Sequence, residues 1–517
     1  MKRDIIAAAF LALALLVAGA AGATSPCESL TDLKLAHVTI TEARLVSKAP
    51  FGPGGQASIP AYCRILGTAR PTADSDIRFE VAIPEGEAWN GRYLQVGNGG
   101  FAGTIPERSI QFGLATGFAV AGTDDGHQSM IGTDASWALG HPEKVVDFGY
   151  RALKETTDAA KAIIAAHAKR TPKYSYFLGC SDGGREALME AQRFPADFDG
   201  IVAGDPANHW THLLGAAAWN AQALSATPGS AIPAAKLKAL EAAALKACGD
   251  QDGVIENPLA CHFDPAAIRC KAGDASDCLT GDQIEAARKI YGGARNPRTG
   301  ARMLAGYAPG GEAESGGWSP WITGPDAGVV DKALLSAFAH NFFAYVVFAD
   351  PGFDIRKLNL NADVAAADAK YAPIFNSWNP DLSAFARRGG KLIQYHGWAD
   401  PAIPAGDSID YFEAVRTKMG DTAGFYRLFL APGMLHCQGG KGPNELNTPA
   451  MLALTAWVEH GHAPARLIIR QTVDNDPAKP LLRTRPLCAY PKVAAWNGKG
   501  DRSQASNWAC KAPAKHA

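Results

Sequence analysis

The chain has 517 residues, 47% of them hydrophobic, and its 50 Lys plus Arg almost cancel its 51 Asp plus Glu. That length supports a large core and two or more structural units. The balance excludes a basic surface for nucleic acid and any block of like charge acting as an interaction tail, and it suits a small, weakly charged ligand.

The N-terminus has the layout of an export signal, predicted over residues 1–23. Lys2 and Arg3 precede an apolar run from Ile5 to Val17, and Ala21-Gly22-Ala23 follows as the small-residue cleavage pattern. The run is short for a membrane span, and no later stretch is long and apolar enough for one. The expected location is therefore secreted or periplasmic. Ten cysteines, an even number, then read as disulfides rather than as a zinc cluster, because paired C-x-x-C units are missing. Local pairing is the simplest expectation for Cys248 with Cys261 and for Cys270 with Cys278.

Phe79–Ile83 and Arg92–Val96 read as strands. Asn98-Gly99-Gly100-Phe101-Ala102-Gly103 follows the second of them. Phe118–Gly122 is a further strand, Val145–Ala168 has helical spacing, Tyr174–Leu178 is a buried strand, and Gly184–Phe194 is a helix. Strands alternating with helices indicate a mostly parallel sheet covered on both faces. The rhythm is lost over residues 208–378, which are Ala-rich, then Gly- and Pro-rich. It returns at Lys391–Tyr395, Gly424–Leu430 and a helix from Pro449 to Glu459. The predicted organisation is one catalytic domain, residues 24–207 and 379–517, interrupted by an inserted lid at 208–378.

Between the strand at 174 and the helix at 184 lies Gly179-Cys180-Ser181-Asp182-Gly183. G-x-S-x-G in a strand-to-helix turn is the nucleophile elbow of an α/β-hydrolase, where small flanking residues let the hydroxyl stand out at the sheet's carboxyl edge. The helix N-terminus behind it favours negative charge. A serine nucleophile needs a histidine base and a carboxylate to orient that base, and in this fold they follow in the order serine, acid, histidine. Asp400 stands directly after the strand at 391, ahead of the weaker candidates Asp381 and Asp407. His436 stands in the loop after the strand at 424. His460 and His462 close a helix, where a basic residue caps, and His396 precedes the acid. Gly100, in the Gly-rich loop, and Asp182, after the nucleophile, are the expected oxyanion donors through their amides; Gly99 and Gly100 are not separable from sequence. Cys180 precedes the serine and Cys437 follows the histidine, so a formed triad brings them close enough to tether the two loops by a disulfide. Trp398, two residues from Asp400, is the expected substrate contact. Within the insertion, Asp250, Asp252 and Glu256 cluster around a Gly-directed turn, with Val254 counted in the same set. These hard oxygen ligands suit a structural Ca²⁺.

Gly179-Cys-Ser-Asp-Gly-Gly-Arg-Glu186, Arg193-Phe-Pro195, Asp199-Gly-Ile-Val-Ala-Gly204, Tyr395-His-Gly-Trp-Ala-Asp400 and Gly433-Met-Leu-His-Cys437 together resemble the tannase/feruloyl esterase family over nearly the whole mature chain. The resemblance implies an α/β-hydrolase core with an inserted lid, several disulfides including Cys180 with Cys437, and a calcium site in the lid. It implies a carboxylic ester hydrolase acting on small-molecule esters of aromatic acids. Feruloyl esters are the first choice, with galloyl esters and mono(2-hydroxyethyl) terephthalate as the alternatives. Trp318, Trp321, Phe338, Phe342, Phe343, Tyr345 and Phe348 are lid candidates for the aromatic pocket, most of them with a packing role. Two features depart from the family pattern. Gly249 and Glu256 stand where the calcium loop usually carries Asp, and Asp205 stands where many relatives have Ala.

Overall fold

The computed structural model describes residues 26–513 except 53, 54, 56, 251, 326–328 and 444. The export segment expected at 1–23 lies outside the described residues. In chain order the strands are β1 (Val38–Val46), β2 (Ala49–Phe51), β3 (Ala57–Ile59), β4 (Tyr62–Ala69), β5 (Ile77–Pro84), β6 (Arg92–Val96), β7 (Ala119–Thr123), β8 (Tyr174–Cys180), β9 (Gly200–Gly204), β10 (Lys391–Gly397), β11 (Tyr426–Ala431), β12 (Arg466–Thr472), β13 (Leu481–Cys488), β14 (Val493–Trp496) and β15 (Trp508–Lys511).

The main sheet has nine strands in the order β1-β4-β5-β7-β6-β8-β9-β10-β11. From β7 to β11 every neighbouring pair is parallel. The other edge, β1-β4-β5-β7, is antiparallel. Parallel strands must be covered on both faces, and β8 shows how: Phe177 enters the core on one face, Tyr176 and Leu178 that on the other. The helices Ala152–Ala168, Asp182–Arg193 and Ala405–Met419 cover the first face. Glu107–Ala115 and Asn447–His460 cover the second. This is the α/β-hydrolase arrangement.

Between β9 and β10 the described residues add no strand to this sheet. Six helices fill the interval, among them Trp210–Leu224, Ala234–Cys248 and Leu334–Asn341. Five of them close around a core of their own that includes Trp210, Leu237, Ile284, Phe342 and Tyr371, while Phe385 of the sixth packs into the core of the sheet domain. The insertion expected at 208–378 falls inside this stretch. Phe101 and Phe148 of the sheet domain join the same cluster, so the lid is packed onto the catalytic face.

Three departures from the sequence reading have physical causes. The edge strand β1 exposes Thr39, Thr41 and Arg44, so it shows no apolar run. The strand β9 begins and ends in glycine, which ordinarily weakens a strand; here a Cβ on Gly204 would fall 2.3 Å from the Tyr395 ring, so close packing requires the glycine. The single helix expected from 145 is broken by a π-turn at Asp147–Arg151. The buried guanidinium of Arg185 donates to the carbonyls of Gly149 and Phe148 in that turn, at 2.8 and 3.2 Å, which binds it to the helix behind Ser181.

Candidate active site

Ser181 sits between β8 and the helix Asp182–Arg193 with φ 67° and ψ −122°. An L-residue holds such a conformation only when its surroundings force it. A Cβ on Gly179 would lie 2.2 Å from the Gly183 carbonyl oxygen, and one on Gly183 would lie 2.8 Å from that of Asn98. The turn is therefore closed to larger residues, and it is held by the Ser181 N–H donating to Gly204 O at 3.0 Å.

Asp400 follows β10 and His436 follows β11, so both arrive at the carboxyl edge where Ser181 stands. His436 Nε2 lies 2.8 Å from Ser181 Oγ, and His436 Nδ1 lies 2.8 Å from Asp400 Oδ2. The other carboxylate oxygen of Asp400 accepts from the amides of Ala402 and Ile403 at 2.7 and 3.0 Å. Burial alone would raise the Asp400 pKa; the facing imidazoles of His436 and His396 hold it well below the usual carboxylate range instead. Burial opposes charging His436, and the Asp400 carboxylate outweighs it, so the imidazole pKa is raised. Asp381 and Asp407 are engaged elsewhere: Asp381 caps the Ser383 amide, and Asp407 lies 3.8 Å from His209.

Cys180 and Cys437 form a disulfide across 257 residues of sequence. It locks the nucleophile turn to the histidine loop. The remaining cysteines pair as Cys27–Cys63, Cys248–Cys261, Cys270–Cys278 and Cys488–Cys510. The two local pairs are those expected from spacing.

Gly100, Ser181, Asp182 and His436 line one cavity. The amides next to the expected oxyanion donors are committed: Phe101 N–H donates to Gly132 O and Gly183 N–H to Asn98 O. Among the described residues, those of Gly99, Gly100 and Asp182 make no backbone hydrogen bond. Of the two glycines that sequence could not separate, Gly100 lines the cavity and Gly99 does not. A Cβ on Gly100 would meet Gly132 O at 2.4 Å, whereas one on Gly99 would meet nothing. Beneath this loop, Glu186 accepts from the Asn98 amide at 2.9 Å, and the Asn98 side chain donates to Asp125 at 2.9 Å. This buried bracing of the oxyanion loop by the nucleophile helix leaves no signature in the sequence.

The rest of the cavity wall is apolar. Trp210, Leu213, Trp321, Leu335, Phe338 and Ile403 form most of it. Trp321 meets His436 edge-on, ring centroids 5.2 Å apart. Of the lid aromatics expected from sequence, Trp321 and Phe338 reach the cavity, while Trp318, Phe342 and Phe343 are buried in the lid core. Trp210 and Leu213, on the first lid helix, went unrecognised because an apolar helix face reads the same whether it meets a core or a ligand. Trp398 does not line this cavity. It borders a separate one with Leu430, Pro432 and Tyr490, because the turn at Trp398–Ala399 breaks the alternation that would have kept it beside Asp400.

The acidic loop does not assemble as expected for calcium. The Asp250 N–H donates to Val254 O at 2.9 Å, and Asp250 Oδ1 accepts from the Asp252 amide at 2.8 Å, so the loop closes on itself. Three arginines from the C-terminal segment enter the cluster. Arg485 contacts Asp252 and lies 3.7 Å from Glu256, Arg502 lies 3.2 Å from Asp250, and Arg483 lies 3.7 Å from Asp252. Guanidinium groups stay protonated, and burial with the neighbouring Asp250 raises the Glu256 carboxyl to about 8, so Asp250 and Asp252 already face three cations and a divalent ion there would meet like charge. Asp250, Asp252, Val254 and Glu256 as folded do not fit Ca²⁺. Thermal melts with excess EDTA and with added calcium are expected to give the same Tm; a Tm that climbs with calcium concentration would restore an ion to the loop.

The sequence model of the family described as tannase and feruloyl esterase matches residues 63–511. An uncharacterised esterase of Xanthomonas campestris pv. campestris is 41% identical, the match covering 95% of this chain and 92% of the relative. A mono(2-hydroxyethyl) terephthalate hydrolase of Piscinibacter sakaiensis is 32% identical over 94% of this chain and 92% of its own. The crystal structure of feruloyl esterase B from Aspergillus oryzae superposes with a TM-score of 0.83 at 27% identity, covering 94% of this chain and 100% of that one. Taken with the elbow geometry, these matches establish that the chain belongs to the tannase and feruloyl esterase family and is a carboxylic ester hydrolase.

Proposed function

We propose that the chain is a serine esterase for aromatic acid esters, with feruloyl (hydroxycinnamoyl) esters as its main substrates. The observation that carries this reading is the hydrogen-bonded line Ser181–His436–Asp400 at the wall of an apolar, aromatic-sided cavity. Ser181 Oγ attacks the ester carbonyl carbon while His436 Nε2 takes its proton. Asp400 holds the ring so that Nδ1 carries a hydrogen and Nε2 is free to accept. The amides of Gly100 and Asp182 receive the developing oxyanion, each contributing about 3–4 kcal/mol in comparable sites. The imidazolium returns its proton to the leaving alcohol oxygen. Water, deprotonated by His436, then splits the acyl-enzyme.

The wall chemistry favours the feruloyl group over its competitors. Among the described residues lining the cavity none is Lys or Arg, so the free carboxylate of a terephthalate monoester would be desolvated without a partner. The three hydroxyls of a galloyl group would each need a polar contact that Trp210, Leu213, Leu335 and Phe338 do not offer. A methoxylated phenylpropenoyl group buries more apolar surface and fewer polar atoms. The proposal also places the protein outside the cytoplasm. Five disulfides form in an oxidising compartment, and no helix among the described residues is long and apolar enough to cross a membrane. Comparing kcat/KM for methyl ferulate, methyl gallate and mono(2-hydroxyethyl) terephthalate tests the preference. Methyl ferulate is expected to lead, and a higher value for either of the others would reassign the acyl group.

A further inference from the structure

Asp205 is the first residue after β9. It is fully buried and has φ 35°, a conformation uncommon for a residue with a side chain. Its backbone continues the sheet edge, the amide donating to Tyr395 O at 2.9 Å, and Ala207 N–H two residues on donates to Ser181 O. The side chain therefore projects among the three loops that carry the triad.

Its contacts are specific. Asp205 Oδ1 accepts from the Gly397 amide at 2.6 Å, at the start of the Asp400 turn. Asp205 Oδ2 accepts from the Cys437 amide at 2.9 Å, next to His436. The disulfide sulfur of Cys180, beside Ser181, lies 3.3 Å from Oδ2 and has no hydrogen to give. An oxygen of Asp205, an oxygen of Asp400 and a ring nitrogen of His436 all lie within 4.8 Å of one another. One further imidazole faces this group: His396 Nε2 is 3.6 Å from Asp205 and 3.3 Å from Asp400. Burial lowers the His396 pKa, and the facing carboxylates of Asp205 and Asp400 outweigh it, so its pKa is raised. Gln394 donates to Ser408 Oγ, whose hydroxyl can donate to His396 Nδ1, and Nε2–H donates to Ile403 O. Tyr395 lends its hydroxyl to Asn447 and is spent there. Both His396 and His436 can therefore carry charge against these carboxylates, and His436 is the one that reaches Ser181.

Resting on the Ser181–His436–Asp400 reading of the site, we propose that Asp205 is a second carboxylate of the catalytic centre, a positioning residue that pins the acid and histidine loops to each other and stabilises the imidazolium of His436. Burial pushes its carboxyl up, to about 6, against the pull of His396, so it is ionised at neutral pH. This gives a role to a residue that the family pattern leaves unexplained. Asp400 holds the imidazole by a direct hydrogen bond; Asp205 acts on the same ring through the adjacent amide and through charge.

The test is the pH profile of kcat/KM for p-nitrophenyl acetate in the parent, Asp205→Asn and Asp205→Ala, with Ser181→Ala alongside. Removing a negative charge near His436 lowers its pKa, so the acidic limb is expected to move to lower pH by about half a unit or more in both variants. The plateau is expected to fall roughly tenfold as the loops loosen. Asn keeps the volume, and Ala places no new donor against the Cys437 amide, so one variant covers a folding failure of the other. A limb at the parent's pH or above it overturns the proposal whatever happens to the plateau, because mere loosening would not move the limb downward. Activity persisting in Ser181→Ala would instead overturn the triad reading itself.

Discussion

Ser181→Ala is expected to leave a folded protein whose hydrolysis of p-nitrophenyl acetate is reduced by about five to six orders of magnitude. The substitution removes one atom, the Oγ that His436 Nε2 approaches at 2.8 Å. What remains is the oxyanion loop and the cavity, which in sites of this kind still exceed uncatalysed hydrolysis by roughly a thousandfold. The fold should not suffer. Alanine carries the same Cβ into the φ 67° position, and the contacts that force the turn come from Gly179, Gly183 and Gly204 backbone, none of which the change touches. The measurement is kcat/KM at neutral pH together with Tm. A folded variant retaining more than about one per cent of parental activity would mean that another group attacks the ester.

The sequence carried the parts of this site that are local and lost those that are tertiary. Ser181 was legible because the elbow needs small residues within two positions of the nucleophile, so the constraint is written in five consecutive letters. Asp400 and His436 were legible because each follows a strand at once, and the order of serine, acid and histidine is set by the fold. Cys180 and Cys437 were legible as companions of two catalytic residues. The cavity wall was not, since Trp210 and Leu213 differ from core residues only in what lies across from them. Trp398 failed for a related reason: nearness in sequence does not fix direction once a turn intervenes. The acidic loop is the clearest case. Its carboxylates lie within seven residues of sequence, and its partners Arg483, Arg485 and Arg502 come from more than two hundred residues away, so the sequence offered donors and concealed the cations that occupy them. Asp205 was visible as an oddity and acquired a meaning only once β9 placed it between β8 and β10.

Asp400→Asn is expected to lower kcat by about four orders of magnitude with little change in KM. Asp400 Oδ1 is fixed as an acceptor by the Ala402 and Ile403 amides, and Oδ2 faces His436 Nδ1. An asparagine will leave its carbonyl oxygen toward the two amides, because the reverse orientation sets an NH₂ group against two N–H donors in a fully buried site. The NH₂ group then points at His436 Nδ1 and makes it an acceptor. The ring must carry its hydrogen on Nε2, facing Ser181 Oγ, and in that tautomer it cannot take the serine proton. His396 Nε2, 3.3 Å from the same oxygen in the parent, meets the NH₂ group as well and has a second acceptor in Ile403 O at 2.9 Å, so the substitution should cost little stability. Asp407→Asn is the matched control, since Asp407 is also buried and also near an imidazole, 3.8 Å from His209, without touching the triad. Steady-state kinetics on methyl ferulate decide between them: if Asp400→Asn stays within about tenfold of the parent, or if Asp407→Asn falls as far, Asp400 is not the residue that orients His436.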